Sequence, residues 1–267
     1  DGNLITGQQQ NSGAKAAELV LQALEEDRKR YPTYVLVHGA WADESAWGFV
    51  RNQLAVHANV EVVNLPAHGV DLSDGKSIGM KDYERAVVDA INRHPGKVTL
   101  VGHSMAGMII SRVAETMPEK VDKLIYVSAF LPKNGESLNG IVNRFLNGQP
   151  LDIFEFNSDY TLIGVKKDVL PTVVCEDCPA YMKDVLVKYH RPDPVKAFND
   201  TVMLGANFAK VPKYYLSTKN DKAVPYALQQ QMIRENGTVR KVYELETSHL
   251  PFVVRPEEFV NIIRGIQ

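Results

Sequence analysis

A single serine, Ser104, stands at the corner where a strand pattern gives way to a helix pattern. Val98 to Val101 is an apolar run typical of a buried strand, and Met105 to Glu115 has helical spacing. The residues two before and two after the serine are small: Gly102, and Ala106 where glycine is usual. Such a tight strand–turn–helix corner lifts the hydroxyl clear of the sheet, as in a nucleophile elbow. The pattern predicts that Ser104 is a nucleophile.

A serine nucleophile needs a neighbouring base, and the chain holds seven histidines. His249 follows the last predicted strand, in a loop that can fold back over the sheet end toward Ser104. His103 adjoins the serine, but its side chain is expected to point away from it. The other histidines are expected to hold loops (His38, His68), to be solvated (His57, His94) or to lie in an inserted segment (His190). His249 is therefore the predicted base.

The base needs a carboxylate to orient its imidazole. The chain order Ser…Asp/Glu…His places this acid at the end of an intervening strand. Asp221 follows the predicted strand Lys213 to Thr218, whereas the end of the strand Asp122 to Phe130 has no carboxylate. Glu246 is too close in sequence to His249. Asp221 is therefore the predicted acid.

Two backbone N–H groups are predicted to hold a developing oxyanion. The Met105 N–H lies at the start of the helix after Ser104, where N–H groups lack intrahelical partners. The second donor is expected in the loop after the first strand, where Gly39 lets the chain turn and the Ala40 N–H faces the serine. These positions complete a predicted acyl-transfer site.

The elements that must position these residues alternate between strand and helix. The composition, 267 residues with 45% hydrophobic, suffices for a sizeable core. The alternation predicts an α/β fold with a mostly parallel sheet of about six strands and helices on both faces. An additional helix is predicted at residues 14–30, packed on the body, and Ser45 is a predicted N-cap for the helix that follows the first strand.

The alternation stops at Pro132 and resumes near residue 210. This predicts an N-terminal extension with a helix (1–30), a core built from 31–131 and 210–267, and an inserted cap (132–209). The cap segment is rich in aromatic residues and prolines, which is compatible with an apolar pocket or with a small core of its own.

Charge and cysteine content restrict the function classes. The net charge of −2 gives no basic field for nucleic acid, and no apolar run is long enough to span a bilayer. A lone C-x-x-C (Cys175, Cys178) lacks the second pair that a four-cysteine zinc site needs, and a disulfide is favoured over two free thiols. The polar, Gly/Gln-rich opening favours an exported protein, periplasmic or secreted, over a cytoplasmic one, although a cloning remnant has the same composition.

Together these motifs resemble the α/β-hydrolase fold from Thr33 to Gln267. The similarity is greatest to the small methylesterase and hydroxynitrile-lyase group, which includes salicylate-ester esterases. That group shares V-L-V-H-G-A-W on the first strand (Val35 to Trp41), V-G-H-S at the elbow (Val101 to Ser104) and a D-K-x-x-P acid loop (Asp221 to Pro225). Lyases of the group carry a lysine after the catalytic histidine, and Leu250 stands there in this chain, which argues against lyase activity.

The resemblance implies cofactor-independent and metal-free hydrolysis of a small-molecule ester through an acyl-enzyme. We expect the substrate to contact the residues around the reacting groups, namely Gly39, Trp41, His103, Phe130 and Leu250. Lactone, thioester or carbon–carbon bond hydrolysis and acyl transfer would use the same residues. A receptor-like protein that binds a ligand without turnover is the alternative of a different class. The sequence leaves a homodimer open.

Overall fold

The computed structural model describes residues 12–28 and 31–266. Most of the predicted polar extension, the end of the first predicted helix and Gln267 lie outside these residues. The strands are β1 (Thr33–Val37), β2 (Asn59–Val63), β3 (Val98–His103), β4 (Val121–Val127), β5 (Phe154–Phe156), β6 (Leu162–Val165), β7 (Asp193–Pro194), β8 (Lys213–Thr218) and β9 (Val239–Leu245).

The helices are α1 (Gly13–Arg28), α2 (Gly48–Ala55), α3 (Met80–Asn92), α4 (Ala106–Thr116), α5 (Leu138–Phe145), α6 (Leu170–Val174), α7 (Ala180–Tyr189), α8 (Val195–Asn199), α9 (Ala206–Lys210), α10 (Tyr226–Asn236), α11 (Pro251–Val254) and α12 (Pro256–Gly265). Short 3-10 helices occupy Glu44–Trp47 and Gly75–Ser77. Among the described residues, no helix combines the length and the apolar character that a bilayer crossing requires.

The central sheet has six strands in the order β2-β1-β3-β4-β8-β9. Neighbouring strands pair in parallel throughout, which confirms the predicted α/β fold and the number of strands. Parallel pairing brings the carboxyl ends of all six strands to one edge of the sheet. The loops that carry the predicted site therefore share that edge.

The sheet is covered on both faces, as predicted. Along β1, Val35 and Val37 enter the core that includes side chains of α3 and α4, while Tyr34 and Leu36 enter the opposite core with side chains of α2 and α12. Alternate residues of a strand point to opposite faces, so a strand that is apolar at every position needs cover on both. The helices on the two faces therefore hold the sheet between them.

Two local predictions are wrong. The Asp43 side chain accepts a hydrogen bond from the Ser45 N–H at 2.8 Å, so Asp43 and not Ser45 is the N-cap, and the element it caps is a 3-10 helix that leads into α2. The apolar residues of α1 are exposed instead of packed on the body, with Leu21 at 62% and Leu24 at 56%. Helical spacing predicts that a face exists but does not identify what covers it.

Between β4 and β8 the chain forms a segment that interrupts the alternation, hereafter the inserted segment (residues 128–212). It contains five short helices and a three-stranded antiparallel sheet, in the order β5-β6-β7, which the sequence pattern did not indicate. The predicted cap boundary at residue 209 falls inside α9. The division into core and cap stays a prediction.

Candidate active site

Ser104 lies between the end of β3 and the start of α4 with a backbone φ of 54°. This is the left-handed region, which costs a residue with a side chain free energy and is held only by its surroundings. The Ser104 N–H donates to the Val127 carbonyl at 3.2 Å, and the Ser104 carbonyl accepts from the Phe130 N–H at 3.0 Å. Main-chain bonds to the end of β4 thus hold the strained corner.

Close backbone approach explains the small residues around the serine. A Cβ at Gly102 would lie 3.0 Å from the Ala106 carbonyl oxygen, and one at Gly39 would lie 2.7 Å from the Ser104 Cβ. A side chain at Gly39 would force the chain to move, and one at Gly102 would require its neighbours to shift. The loop after β1 therefore lies directly against the elbow.

His249 and Asp221 meet at the carboxyl ends of the last two strands. The His249 Nδ1 lies 2.7 Å from the Asp221 Oδ2, and both side chains are almost completely buried. A carboxylate can only accept here, so Nδ1 carries a hydrogen, and Nε2 is the nitrogen that can act as an acceptor. An imidazole held in this tautomer is suited to take a proton from a hydroxyl.

The Asp221 carboxylate has further partners that the sequence did not reveal. Oδ1 accepts from the backbone N–H groups of Ala223 and Val224, both at 2.8 Å. Oδ2 also accepts from the Thr218 hydroxyl at 2.8 Å and the Gln229 amide at 3.3 Å. Hydrogen bonds of this kind stabilise a buried anion. The only signal in the sequence was a polar residue at the end of an apolar strand, which is too common to be specific.

His103 joins the elbow to the loop of the predicted base. Its Nε2 donates to the His249 carbonyl at 3.0 Å, and the two imidazole centroids are 4.5 Å apart. Burial, reinforced by the neighbouring His249, holds the pKa of His103 well below its usual range. His103 is therefore a neutral donor that links the loop of His249 to the strand end next to Ser104.

The predicted oxyanion donors come from two separate stretches of the chain. Met105 is the residue that precedes the first turn of α4, and Ala40 lies in the loop after β1. The next residue, Trp41, has a φ of 59°, and its N–H donates to the Asp193 Oδ2 at 2.5 Å. A carboxylate of the inserted segment thus fixes the loop that carries Ala40.

Asp193 is fully buried and also binds His68, whose Nε2 lies 2.5 Å from the Asp193 Oδ1. Burial alone would lower the pKa of His68, but the charge of Asp193 and its hydrogen bond outweigh burial and raise it. The His68 Nδ1 donates to the Pro66 carbonyl at 2.9 Å, and the Nε2 faces the Asp193 carboxylate. His68 and Asp193 form a buried ion pair between the core and the inserted segment.

The pKa of His38 shifts in the opposite direction. Burial, followed by the neighbouring His68, lowers the pKa of His38 to about 3. Its Nε2 accepts from the Leu65 N–H at 3.0 Å, and its Nδ1 donates to the Gly39 carbonyl at 2.9 Å. The expectation that His38 and His68 hold loops agrees with these bonds.

A cavity of about 160 Å³ opens beside His249. Its walls come from the loop after β1, the loop before α11 and helices α6 and α7, and most of them are apolar. The lining includes Ala40, Trp41, Phe49, His103, Leu170, Val174, Met182, Leu186, His249, Leu250 and Phe252. The apolar residues of α6 and α7 were not predicted, because only the tertiary fold brings these helices over the sheet edge.

Of the residues expected to contact substrate, Trp41, His103 and Leu250 line this cavity. Gly39 lies against the Ser104 Cβ instead. Phe130 is 5% exposed and packs in the core, and it meets the elbow through its backbone N–H. Its ring therefore faces apolar side chains of the core and not the described cavity.

Comparison with known proteins identifies the family. Residues 34–262 match the alpha/beta hydrolase family. The chain is 28% identical to Methylesterase 1 of Arabidopsis thaliana over 259 residues, which covers 88% of this chain and 94% of the relative. It is 27% identical to a pyrethroid hydrolase of Sphingobium wenxiniae over 248 residues, which covers 86% and 85% of the two chains.

Solved structures give the same result. A pyrethroid hydrolase from Sphingobium faniae superposes with a TM-score of 0.76 at 26% identity, covering 88% of this chain and 96% of that one. Polyneuridine aldehyde esterase superposes with a TM-score of 0.79 at 22% identity, covering 88% and 99%, which shows a shared fold. The chain belongs to the alpha/beta hydrolase family and is a carboxylesterase-type hydrolase.

Proposed function

We propose that this protein hydrolyses small carboxylic esters with an apolar part, through Ser104, His249 and Asp221 and an acyl-enzyme intermediate. The observation that carries the proposal is the 2.7 Å bond between Asp221 and His249, because it leaves the second imidazole nitrogen free as a proton acceptor. The left-handed backbone of Ser104 supports its role as the nucleophile.

In the first half-reaction the Ser104 hydroxyl oxygen attacks the ester carbonyl and its proton passes to His249 Nε2. The N–H groups of Ala40 and Met105 hold the resulting oxyanion. The intermediate collapses, the bond to the alcohol oxygen breaks, and His249 returns the proton to the departing alcohol. Asp221 stabilises the imidazolium formed in between.

In the second half-reaction water attacks the acyl-enzyme and gives its proton to His249. Collapse of the second tetrahedral intermediate releases the carboxylic acid and restores the Ser104 hydroxyl. Each step uses the same base and the same N–H donors, so a single site serves both halves. None of these proposed steps uses a cofactor.

The test is hydrolysis of p-nitrophenyl butyrate. Ser104→Ala is expected to lower kcat by about a millionfold, because every step depends on the covalent intermediate. Ser158→Ala, which removes an exposed serine of the inserted segment, is the control and is expected to retain wild-type activity. A fluorophosphonate probe should add its mass to the wild type and to Ser158→Ala but not to Ser104→Ala.

Equal activity of Ser104→Ala and the wild type would contradict the proposal. A wild type that is inert to esters and probes yet is stabilised by ester-like ligands would favour the receptor-like alternative. The apolar cavity adds a second criterion. Butyrate esters should exceed hemisuccinate esters in kcat/KM by about a hundredfold, because an apolar cavity disfavours a buried carboxylate.

A further inference from the structure

The C-x-x-C pair forms a small covalent ring between α6 and α7. Cys175 and Cys178 are joined by a disulfide with their Cα atoms 5.2 Å apart, as the sequence favoured. Both cysteines are buried, while the two residues between them, Glu176 and Asp177, are exposed acidic residues. The ring therefore presents two carboxylates from a closed turn of the inserted segment.

The first carboxylate binds the residue next to the proposed base. The Asp177 Oδ2 accepts from the Ser248 N–H at 2.8 Å, and its Oδ1 accepts from the Ser248 hydroxyl. Ser248 is 2% exposed and directly precedes His249. Asp177 thus holds both the main chain and the side chain of the position that leads into the imidazole.

The second carboxylate reaches the residue next to the proposed acid. The Glu176 Oε1 lies 2.8 Å from the Lys222 Nζ, and Lys222 directly follows Asp221. The Glu176 carbonyl also accepts from the Lys183 Nζ of α7 at 2.6 Å. One short ring therefore contacts the chain neighbours of two triad positions.

Residues outside the inserted segment also hold the His249 loop, and among them the Asn220 N–H donates to the Thr247 carbonyl at 3.0 Å. His103 donates to the His249 carbonyl, and Asp221 binds the His249 ring. None of these bonds comes from the inserted segment. The Asp177–Ser248 pair ties the chain before His249 to that segment. An exposed carboxylate holds a partner poorly when its own turn is free to move, because ordering costs conformational entropy. The disulfide reduces that freedom.

We infer that Asp177 is a positioning residue for His249 and that the Cys175–Cys178 disulfide keeps it in place, so that ester hydrolysis weakens when this disulfide is reduced. The inference rests on the proposed function, since it assigns His249 as the base. A dithiol reductant such as dithiothreitol reduces this disulfide. Its two thiols lose two electrons and two protons and close into a cyclic disulfide, while Cys175 and Cys178 each gain a thiol hydrogen.

The first experiment compares Asp177→Ala with Asp184→Ala, which removes an exposed carboxylate of the neighbouring helix α7. Asp177→Ala is expected to lower kcat for p-nitrophenyl butyrate roughly tenfold and to leave KM within about twofold, because a displaced base slows chemistry while the cavity walls remain. Asp184→Ala should match the wild type. Equal kcat values for the two variants would overturn the inference.

The second experiment treats the wild type with dithiothreitol and then reoxidises it. The wild-type kcat should fall toward that of Asp177→Ala and recover on reoxidation, which also shows that the fold survived. The double variant Cys175→Ser, Cys178→Ser should be slow and insensitive to the reductant. Asp177→Ala should lose little more on reduction, because the two changes remove one restraint. A full further loss in Asp177→Ala would overturn the coupling of ring and carboxylate.

The third experiment does not depend on turnover. The Ser248 amide donates to Asp177, so hydrogen exchange at this amide should be faster in Asp177→Ala and in the reduced wild type than in the oxidised wild type and in Asp184→Ala. Unchanged exchange would overturn the inference. If the wild type hydrolyses no ester while these exchange differences appear, the proposed function fails and the positioning of the His249 loop stands.

Discussion

The inserted segment contacts the predicted site at two places, and the two contacts are built differently. At the loop after β1, Asp193 is fully buried, accepts a hydrogen bond from the Trp41 N–H and pairs with the His68 imidazole. On the side of the base, Asp177 is exposed and binds Ser248 from a disulfide-closed turn. Burial makes the first contact strong and expensive to break, whereas covalent closure of the turn strengthens the second.

A carboxylate can thus hold a loop in two ways. Asp193 has no water to compete for it, and any loss of a partner leaves an unpaired charge in the core. Asp177 stays exposed to water, which can replace a lost partner. Removal of that partner therefore lowers the free energy of unfolding only slightly. We therefore expect substitutions on the Asp193 side to change stability and those on the Asp177 side to change the rate.

The largest expected effect on stability belongs to Asp193→Asn. The change removes the buried charge that pairs with His68, and we expect the free energy of unfolding to fall by about 3 kcal/mol. Urea denaturation followed by tryptophan fluorescence measures it. Asp168→Asn, at an exposed position of the inserted segment, is the control and should leave the unfolding midpoint unchanged. Similar stability of both variants would contradict the buried ion pair.

The pH dependence of stability tests the same pair through His68. Its pKa is raised in the folded state, from an unfolded value of about 6.5. Below about pH 6.5 the imidazole is protonated in both states, so the stabilisation by Asp193 is complete there and decreases as pH rises through the folded pKa. Three other groups face this pair, namely Tyr83, His38 and Arg191. They do not reverse the direction in which stability changes with pH.

The measurement is the free energy of unfolding of the wild type and His68→Gln from mildly acidic to alkaline pH. The advantage of the wild type should be greatest in the acidic part of the range and narrow as the pH increases. An advantage that grows with pH would show that His68 is neutral in the fold and that Asp193 is held in another way.

A smaller effect is expected at the second bond between Trp41 and the inserted segment. The Trp41 indole N–H donates to the Ile163 carbonyl at 3.0 Å, and its ring stacks on Phe198. Trp41→Phe keeps an aromatic ring but loses this donor, so the free energy of unfolding should fall by about 1 kcal/mol. Denaturation in urea checks this value. A loss as large as that of Asp193→Asn would show that ring packing dominates over the hydrogen bond.

The smallest effect is expected at the ion pair between Glu176 and Lys222. Both side chains are about half exposed, at 52% and 48%. Exposed pairs contribute less than about 1 kcal/mol, so Glu176→Gln should change neither the unfolding midpoint nor kcat by more than about twofold. Steady-state kinetics at low and high salt measures it. A large, salt-dependent loss of kcat would transfer the positioning role from Asp177 to Glu176.

The central fold was predictable because its pattern is local. Alternating strands and helices, and strands such as β1 that are apolar at every position, require a parallel sheet covered on both faces. The inserted segment was not predictable in detail. Its short antiparallel strands β5 to β7 carry too few residues for a period to appear, and its helices α6, α8 and α9 have only five residues each.

The amino-acid sequence alone predicted the chemistry that we propose for this protein. Ser104 at a tight corner, Asp221 after a strand and His249 after the next follow from the residue types and their order, because parallel strands bring their carboxyl ends to one edge. The tertiary structure decided which other residues serve those three. Asp193, His68 and Asp177 are distant in sequence from the loops they hold, and only the packed chain brings a charge and its partner within hydrogen-bond distance.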